Sequence, residues 1–391
     1  MNKLLSFDGA GASEGAGTFT AAEITAQPAM WRKIWKKVNK KSGKVQQFLE
    51  QITNHHDLNI VLTGAGSSAF IGDVVADSWL KSLGKPVQAI PTTDLVTHFE
   101  DRVVTEHPLL LISFARSGNS PESKAAIDIA NRKCSEVYHL IITCNPDGKL
   151  AKFEDRNNTY LFLLPERAED KGLAMTNSFS SMALTAILIA VLYTGKENLG
   201  KQIDLLCSYG QRLLEEYTPL LHQIAQLDFS RAVFLGSGPL WGIAKESHLK
   251  LQELTNGQIM CKFDTFLGFR HGPKAIINDQ TLLVYLLSNN SQTFRYERDL
   301  ICQIARHDIN LTTLGITEDN DIPEVVDFDI HINDQPEIGE AFWAILCVLP
   351  AQIIGFYKSL LLGYDPDSPS DKGVISRVVE GVTIYDESTN N

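Results

Sequence analysis

Residues 109–122 read LLLISFARSGNSPE, an unbroken apolar run followed by a turn rich in Ser, Gly and Asn. Such a run is typical of a strand inside a parallel sheet, where helices cover both faces. Ser120 is placed to precede a helix whose first residue is Pro121, a position where the missing N–H costs no hydrogen bond. The stretch therefore predicts a strand, a turn and a helix, the repeating unit of a doubly wound α/β domain.

The same unit recurs along the chain. Further apolar runs of strand length, each followed by a turn and a helix-like segment, are found at 59–63, 138–143, 231–235, 281–287 and 309–316. Gly64 and Gly236 are 172 positions apart, and so are Ser117 and Asn289. A constant offset between such landmarks indicates a duplicated domain.

The N-terminal part differs in composition from the two copies. Residues 1–28 are rich in Gly, Ala, Ser and Thr and predict either a loose tail or a strap over a neighbour. Residues 31–49 have apolar residues at helical spacing and a Lys-rich opposite face, which predicts a solvated amphipathic helix. The predicted organisation is a tail and helix at 1–44, followed by domains at 45–200 and 210–391.

Composition excludes several classes of protein. The 391 residues are 44% apolar, which is ordinary for a folded globular chain, and the net charge is −12. Without a basic patch to release counterions, nucleic acid is not expected as a partner. The apolar stretches 182–193 and 341–357 are too short or are interrupted by Pro350, so we expect no membrane span. Six scattered cysteines predict free thiols, no metal site and a cytoplasmic location.

Two turns of the first copy could hold an anion. Residues 64–68 read GAGSS after the first strand, and residues 117–120 read SGNS after a neighbouring strand. The first turn lacks the third Gly of a dinucleotide fingerprint and the Lys of a P-loop, and taken alone it fits a plain helix start equally well. Ligands of open α/β sheets bind beyond the carboxyl ends of strands. The two turns together favour a phosphate monoester held by neutral donors.

Two residues of the second half could transfer protons. Glu253 lies on a helical stretch with apolar neighbours, and burial there would raise its pKa and make it a competent general base. His271 lies between Arg270 and a Gly-Pro turn, on an irregular segment of the kind where function concentrates. Alone, either could be a surface carboxylate or a structural histidine. Combined with the anion loops, they predict acid–base chemistry on a phosphorylated small molecule.

The chain resembles a known family in four motifs that occur in order. They are GAGSS at 64–68, SGNSPE at 117–122, LKLQEL at 249–254 and GFRHGPK at 268–274. They look like the signatures of sugar isomerase (SIS) domains in tandem, similar to the isomerase half of glutamine-dependent glucosamine-6-phosphate synthase. The chain is closer still to the bacterial AgaS family, called galactosamine-6-phosphate deaminase/isomerase or tagatose-6-phosphate ketose/aldose isomerase. This resemblance covers nearly the whole chain and implies flavodoxin-like, three-layered domains.

The resemblance also implies roles for individual residues. The sugar 6-phosphate would be held by Ser68, Ser117, Asn119 and Ser120, in loops shaped by Ser67 and Gly118. Glu253 would move a proton between C1 and C2, and His271 would open the sugar ring. In the related synthases this histidine reaches the site of a partner subunit, which implies a homodimer with its site at the subunit interface. Lys250 and Arg270 would supply positive charge, and no cofactor or metal is implied.

Three departures from the family pattern leave alternatives open. Ala115 stands where a serine is common, and Arg116 would replace the lost hydroxyl contact. Met175 occupies the position of an interdomain serine, with Thr176 beside it. The sequence therefore leaves open which residues contact the sugar's 2-substituent. The synthases use a lysine near the C-terminus to form an imine, and either Lys372 or Arg377 could correspond to it.

The direction of reaction is inferred from the N-terminus. The residue after Met1 is Asn2 rather than the cysteine nucleophile of a glutamine amidotransferase domain, so we expect breakdown of an amino sugar rather than synthesis. The preferred reaction converts galactosamine 6-phosphate and water to tagatose 6-phosphate and ammonia. One alternative is aldose/ketose isomerisation without loss of nitrogen. Another is a phosphosugar-sensing regulator, in which Glu253 would be expendable.

Overall fold

The fold is built from two parallel five-stranded sheets. The computed structural model describes Leu5 and residues 15–153, 158–195, 198–307, 309–319, 321–333, 337–378 and 381–385. The first sheet has the order β2-β1-β3-β4-β5, with strands β1 (Asn59–Thr63), β2 (Val87–Ala89), β3 (Leu109–Ala115), β4 (Val137–Thr143) and β5 (Thr159–Leu163). The second has the order β10-β9-β8-β6-β7, with strands β6 (Arg231–Gly236), β7 (Met260–Asp264), β8 (Thr281–Leu286), β9 (Thr312–Thr317) and β10 (Phe328–His331).

The two sheets have the same topology, which confirms the predicted duplication and the doubly wound fold. Read from its other edge, the second order repeats the first, and every pairing is parallel. All residues of β3 and β4 are buried, as expected for strands covered on both faces. Gly66 (φ 57°, ψ −132°) and Gly238 (φ 55°, ψ −129°) precede equivalent helices with the same left-handed backbone, a conformation that favours glycine.

Helices connect the strands. They are α1 (Thr18–Thr53), α2 (Ser67–Leu83), α3 (Thr92–Thr97), α4 (Phe99–Arg102), α5 (Pro121–Lys133), α6 (Asn177–Thr194), α7 (Leu199–Arg212), α8 (Thr218–Gln226), α9 (Pro239–Leu254), α10 (Phe266–Phe269), α11 (Ser291–Ile304), α12 (Glu340–Leu346) and α13 (Leu349–Leu361). A π-helical turn, Leu213–Tyr217, joins α7 to α8, and a 3₁₀ turn, Gly272–Ile276, follows α10.

The chain forms two compact units. The first-sheet unit contains residues 33–169, 181–197 and 375–391, and the second-sheet unit contains residues 1–32, 170–180 and 198–374. Each has its own apolar core. In the first-sheet unit Leu111, Ile127 and Ile141 belong to one buried cluster. In the second-sheet unit Val233, Leu283 and Leu300 belong to another.

The first helix begins earlier than the sequence predicts, so the interpretation of residues 18–28 as part of a loose tail was wrong. Helix α1 starts at Thr18 and continues through Pro28, and Ile24 and Gln27 are fully buried on it. Residues 9–14 of the Gly-rich stretch lie outside the described residues. Carboxylates from far along the chain satisfy the first N–H groups: Asp365 accepts from Gly17 N at 2.8 Å, and Asp367 from Thr20 N at 2.7 Å.

Two helical stretches are apolar and long enough to cross a bilayer by length and composition. They are Asn177–Thr194 and Glu340–Leu361, and 78% and 94% of their most apolar windows are buried. Burial accounts for that composition, because a helix that is apolar all round is typical of a protein core. All six cysteines are free thiols, as predicted.

Candidate functional site

The two predicted anion loops lie at the same edge of the first sheet. Strands β1 and β3 are parallel neighbours, with Thr63 paired to Ser113, and one loop follows each strand. Ser67 and Ser68 are the first residues of α2 and are 5% exposed, while Gly66 takes the N-cap position. Gly66 has no side chain to cap the helix, and the first turn is closed by the backbone: Ser68 N donates to Ala65 O at 3.1 Å and Ala69 N to Gly66 O at 2.9 Å.

The 117–120 loop has a defined conformation. Gly118 has a φ of 65°, and the Ser117 hydroxyl oxygen accepts from Asn119 N at 3.3 Å. Ser120 precedes α5 as predicted, but its hydroxyl lies 2.5 Å from that of Ser123 and does not cap the helix. Asn119 Oδ1 accepts from the backbone N–H of Lys149 at 3.1 Å. Neutral groups therefore hold this loop.

The equivalent loop of the second copy is held by carboxylates. Its donors bind three glutamates: Glu297 accepts from Ser288 N at 2.9 Å, Glu340 from Ser288 Oγ at 2.5 Å, and Glu318 from Asn289 Nδ2 at 2.6 Å. Glu297 is fully buried, and this burial raises its pKa to about 7. Asn290 caps α11 through its side chain. The second copy thus satisfies the donors of Ser288 and Asn289 with its own carboxylates.

Helix α9 carries a line of three charged residues. Glu246, Lys250 and Glu253 are four and three positions apart, so they share one helical face. Lys250 Nζ lies 2.5 Å from Glu253 Oε2 and 3.3 Å from Glu246 Oε1. Burial lowers the pKa of Lys250, but the two carboxylates outweigh burial and raise it, so the lysine is a cation. We had expected apolar neighbours around Glu253. The structure adds an ion pair between its carboxylate and Lys250.

Glu253 differs from Glu246 in its access to solvent. The Glu246 side chain is fully buried and that of Lys250 is 1% exposed, whereas that of Glu253 is 23% exposed. Glu253 is thus the member of the line that can meet a ligand. Lys250 pairs with Glu253 and with Glu246 on the same helical face.

His271 and Arg270 lie after α10. His271 is exposed and precedes the 3₁₀ turn, and its imidazole makes no hydrogen bond within the described part of the chain. Arg270 Nη1 donates to Gln303 Oε1 of α11 at 3.0 Å. The guanidinium is therefore directed to α11, and no contact joins it to Glu253 among the described residues.

Thr176 and Arg116 are each engaged by another part of their own unit. Thr176 is fully buried, and its hydroxyl donates to Asp170 Oδ1 at 3.0 Å. Arg116 is 8% exposed and donates to the backbone oxygen of Arg377 at 2.7 Å. Arg377 in turn donates to Glu169 Oε1 at 2.7 Å. Arg116 is therefore next to the 117–120 loop while it holds the C-terminal segment.

Comparison with known proteins places the chain in a family. The SIS domain pattern matches residues 52–192. The D-galactosamine-6-phosphate deaminase AgaS of Escherichia coli is 37% identical over 381 residues, which cover 96% of this chain and 97% of the relative. The chain belongs to the AgaS family. A solved tagatose-6-phosphate ketose/aldose isomerase from Escherichia coli matches this AgaS-family chain with a TM-score of 0.86 and 34% identity, over 96% of this chain and 99% of that one. A Clostridium novyi NT structure matches with a TM-score of 0.92 and 42% identity, over 95% and 96%.

The predicted site residues of this AgaS-family chain fall into two sets. The first-sheet unit carries the anion-loop residues with Arg116 and Arg377, and the second-sheet unit carries Thr176, Lys250, Glu253, Arg270 and His271. Within its own unit, each set has the local geometry given above. The structure brings Lys250 and Glu253 into direct contact.

Sequence reasoning missed two residues of the AgaS-family chain. Glu246 could have been found, because its spacing from Lys250 and Glu253 places all three on one face of α9. Asp170 is fully buried and accepts from the N–H groups of Thr176, Asn177 and Ser178 at the start of α6. Nothing in the local pattern around it showed that a helix begins seven residues later.

Proposed function

We propose that this protein is a deaminating isomerase that converts D-galactosamine 6-phosphate and water to D-tagatose 6-phosphate and ammonia. The observation that carries the proposal is the Glu253–Lys250 pair, a partly exposed carboxylate beside a buried cation. The neutral donors of the anion loops support a phosphate ester as ligand. The name of the Escherichia coli relative, with 37% identity over nearly the full length, supports an amino sugar as substrate.

The phosphate is held by local donors. Ser68, Ser117, Asn119 and Ser120 supply hydroxyl, amide and backbone N–H groups at the carboxyl edge of the first sheet. Because the net charge is −12, the overall field opposes an anionic substrate. Two helix starts and their serines must therefore provide the attraction, and Ser67 and Gly118 set the backbone for it.

The reaction needs one proton to move between neighbouring carbons. His271 opens the ring, which gives an aldehyde at C1 and an amine at C2. Glu253 removes the C2 proton while O1 gains a proton, which forms an enolamine. Glu253 then returns its proton to C1 as the nitrogen gives one up to solvent, which leaves a hydroxyl at C1 and an imine at C2. Water adds to the imine and ammonia leaves, so the products are the ketose phosphate and ammonia. The Lys250 ammonium supplies the counter-charge whenever Glu253 is a carboxylate.

A coupled assay tests this reaction. The enzyme is incubated with D-galactosamine 6-phosphate, and ammonia is measured through glutamate dehydrogenase. We expect ammonia in proportion to enzyme, and no ammonia at saturating substrate would refute the deaminase. The name of the 34%-identical isomerase structure favours a second candidate, ketose/aldose isomerisation without loss of nitrogen. That activity would interconvert tagatose 6-phosphate with an aldose phosphate and release no ammonia from the amino sugar.

The chain is expected to bind one phosphosugar. The donors of the second copy are occupied by Glu297, Glu318 and Glu340, whereas the anion loop of the first copy is held by neutral groups among the described residues. Isothermal titration with a linear hexitol 6-phosphate should therefore give one site per chain. Two equivalent sites per chain would contradict this account of the second copy.

We also propose that the active form is a homodimer in which His271 serves the site of a partner subunit. The exposed imidazole, which has no hydrogen bond among the described residues, supports this assignment. Mixing Glu253→Gln and His271→Asn variants after joint refolding should then restore about a quarter of wild-type activity, because half of the chains form mixed dimers with one intact site in two. No recovery in verified mixed dimers would place both residues in one chain's site.

A further inference from the structure

A third loop of the first-sheet unit holds the loop of residues 117–120 in place, and from here on we call residues 117–120 the anion loop. It follows β4 and spans residues 144–150. Three of its N–H groups bind three consecutive residues of the anion loop: Asn145 Nδ2 donates to Ser117 O at 3.0 Å, Leu150 N to Gly118 O at 3.1 Å, and Lys149 N to Asn119 Oδ1 at 3.1 Å. We call residues 144–150 the support loop.

The support loop and the anion loop meet backbone to backbone. A Cβ on Gly148 would lie 2.5 Å from Ser117 O and 3.1 Å from Gly118 Cα, so only glycine fits there without a shift. Across the same contact, a Cβ on Gly118 would lie 3.5 Å from Gly148 Cα and 3.5 Å from Thr143 Oγ1. This packing leaves the anion loop little freedom on its inner side.

Asn145 contributes to this contact through its side chain. Its Oδ1 accepts from Asp147 N at 2.9 Å, which turns Nδ2 toward Ser117 O. Both ends of the amide are therefore used, one within the support loop and one across to the anion loop. Lys149 and Leu150 donate through the backbone, so their bonds survive substitution of the side chain.

We propose that Asn145 is a positioning residue for binding of the substrate's phosphate. The inference rests on the proposed function, since it takes the ligand to be a phosphate ester. An anion loop already fixed in its binding geometry does not have to be ordered when the ligand arrives, and affinity gains accordingly. Because the phosphate is remote from C1 and C2, loss of this support weakens binding and leaves the chemical step intact.

The test compares two Asn→Ala variants in the same unit. Asn145→Ala removes the bond to Ser117 O. Asn59→Ala is the matched control, because Asn59 Nδ2 donates to a backbone oxygen, that of Val104, at 2.8 Å near the opposite end of β1. Binding of D-galactitol 6-phosphate is measured by calorimetry. The values of kcat and KM are measured with galactosamine 6-phosphate as substrate. We expect Asn145→Ala to raise Kd and KM about tenfold while kcat stays within about twofold of the wild-type value. We expect Asn59→Ala to change none of these three quantities.

The outcomes separate the inference from the function. If Asn145→Ala binds the hexitol phosphate as the wild type does, the positioning role is overturned. If the wild-type protein itself does not bind it, the proposed function is overturned and the inference with it. Should Asn145→Ala fail to fold, Asn145→Asp keeps the acceptor for Asp147 N and removes the donor to Ser117 O. A folded Asn145→Asp with wild-type affinity would equally overturn the role.

Discussion

Replacement of Glu253 by glutamine is expected to lower kcat by a factor on the order of 100 or more. Glutamine keeps the size of the side chain and can still accept a hydrogen bond from Lys250, but it cannot take up the C2 proton. The partly exposed carboxylate is the only member of the Glu246–Lys250–Glu253 line with clear access to solvent. The loss should therefore appear in kcat, measured by ammonia release, with little change in KM.

Binding provides the control for this variant. Glu253→Gln should bind D-galactitol 6-phosphate with near wild-type affinity, because the proposed phosphate donors lie in the first-sheet unit. An exposed surface substitution, Glu216→Gln, should leave turnover unchanged, since that residue pairs with Arg212 in solvent. If Glu253→Gln retained full activity, Glu253 would not be the base. If the wild type bound phosphosugars without turnover, the alternative of a sensing protein would be favoured.

Replacement of Lys250 by methionine is expected to have the largest effect on stability. Methionine fills a similar volume but removes the cation that lies between two carboxylates, one of them fully buried. Loss of one partner from a buried ion pair typically lowers the free energy of unfolding by about 3–5 kcal/mol. Urea denaturation followed by circular dichroism measures this change.

Two further variants show whether charge is the cause. The first is Lys245→Met. Lys245 lies on the same helix, and its ammonium is 3.5 Å from the centre of the Trp241 ring. We expect that variant to lose only about 1 kcal/mol, the usual worth of a cation–π contact. Adding Glu246→Gln to Lys250→Met should recover part of the lost stability, because it removes the buried charge. Equal losses for Lys245→Met and Lys250→Met would argue against an electrostatic role of Lys250.

Most of the fold could be predicted because its signals are local. Strands such as β3 and β8 read as continuous apolar runs, and the equal offset of Gly64 and Ser117 from their counterparts showed the duplication. The start of α1 could not be predicted in this way. Its first N–H groups are satisfied by Asp365 and Asp367, almost 350 positions away, and no local pattern reports such a partner.

The same distinction applies to the candidate site. The anion loops follow buried strands and could be placed at one edge of the sheet from the sequence. The spacing of Glu253 and Lys250 on α9 permits their pairing, but the burial of Lys250 could not be predicted, because it depends on how α9 packs. Asn145 was also missed: its role arises from a contact with a loop 28 residues earlier in the chain. Where a site depends on contacts between residues that are distant in the chain, the sequence pattern can indicate a suitable residue type. It does not show which residue that side chain contacts.

In the proposed reaction the chain removes the amino group of its substrate. Nuclear magnetic resonance can follow this step with ¹⁵N-labelled D-galactosamine 6-phosphate and the purified protein. We expect one equivalent of ¹⁵N-ammonium for each tagatose 6-phosphate formed. Label that stays bound to carbon, with no ammonium as the substrate is consumed, would contradict it.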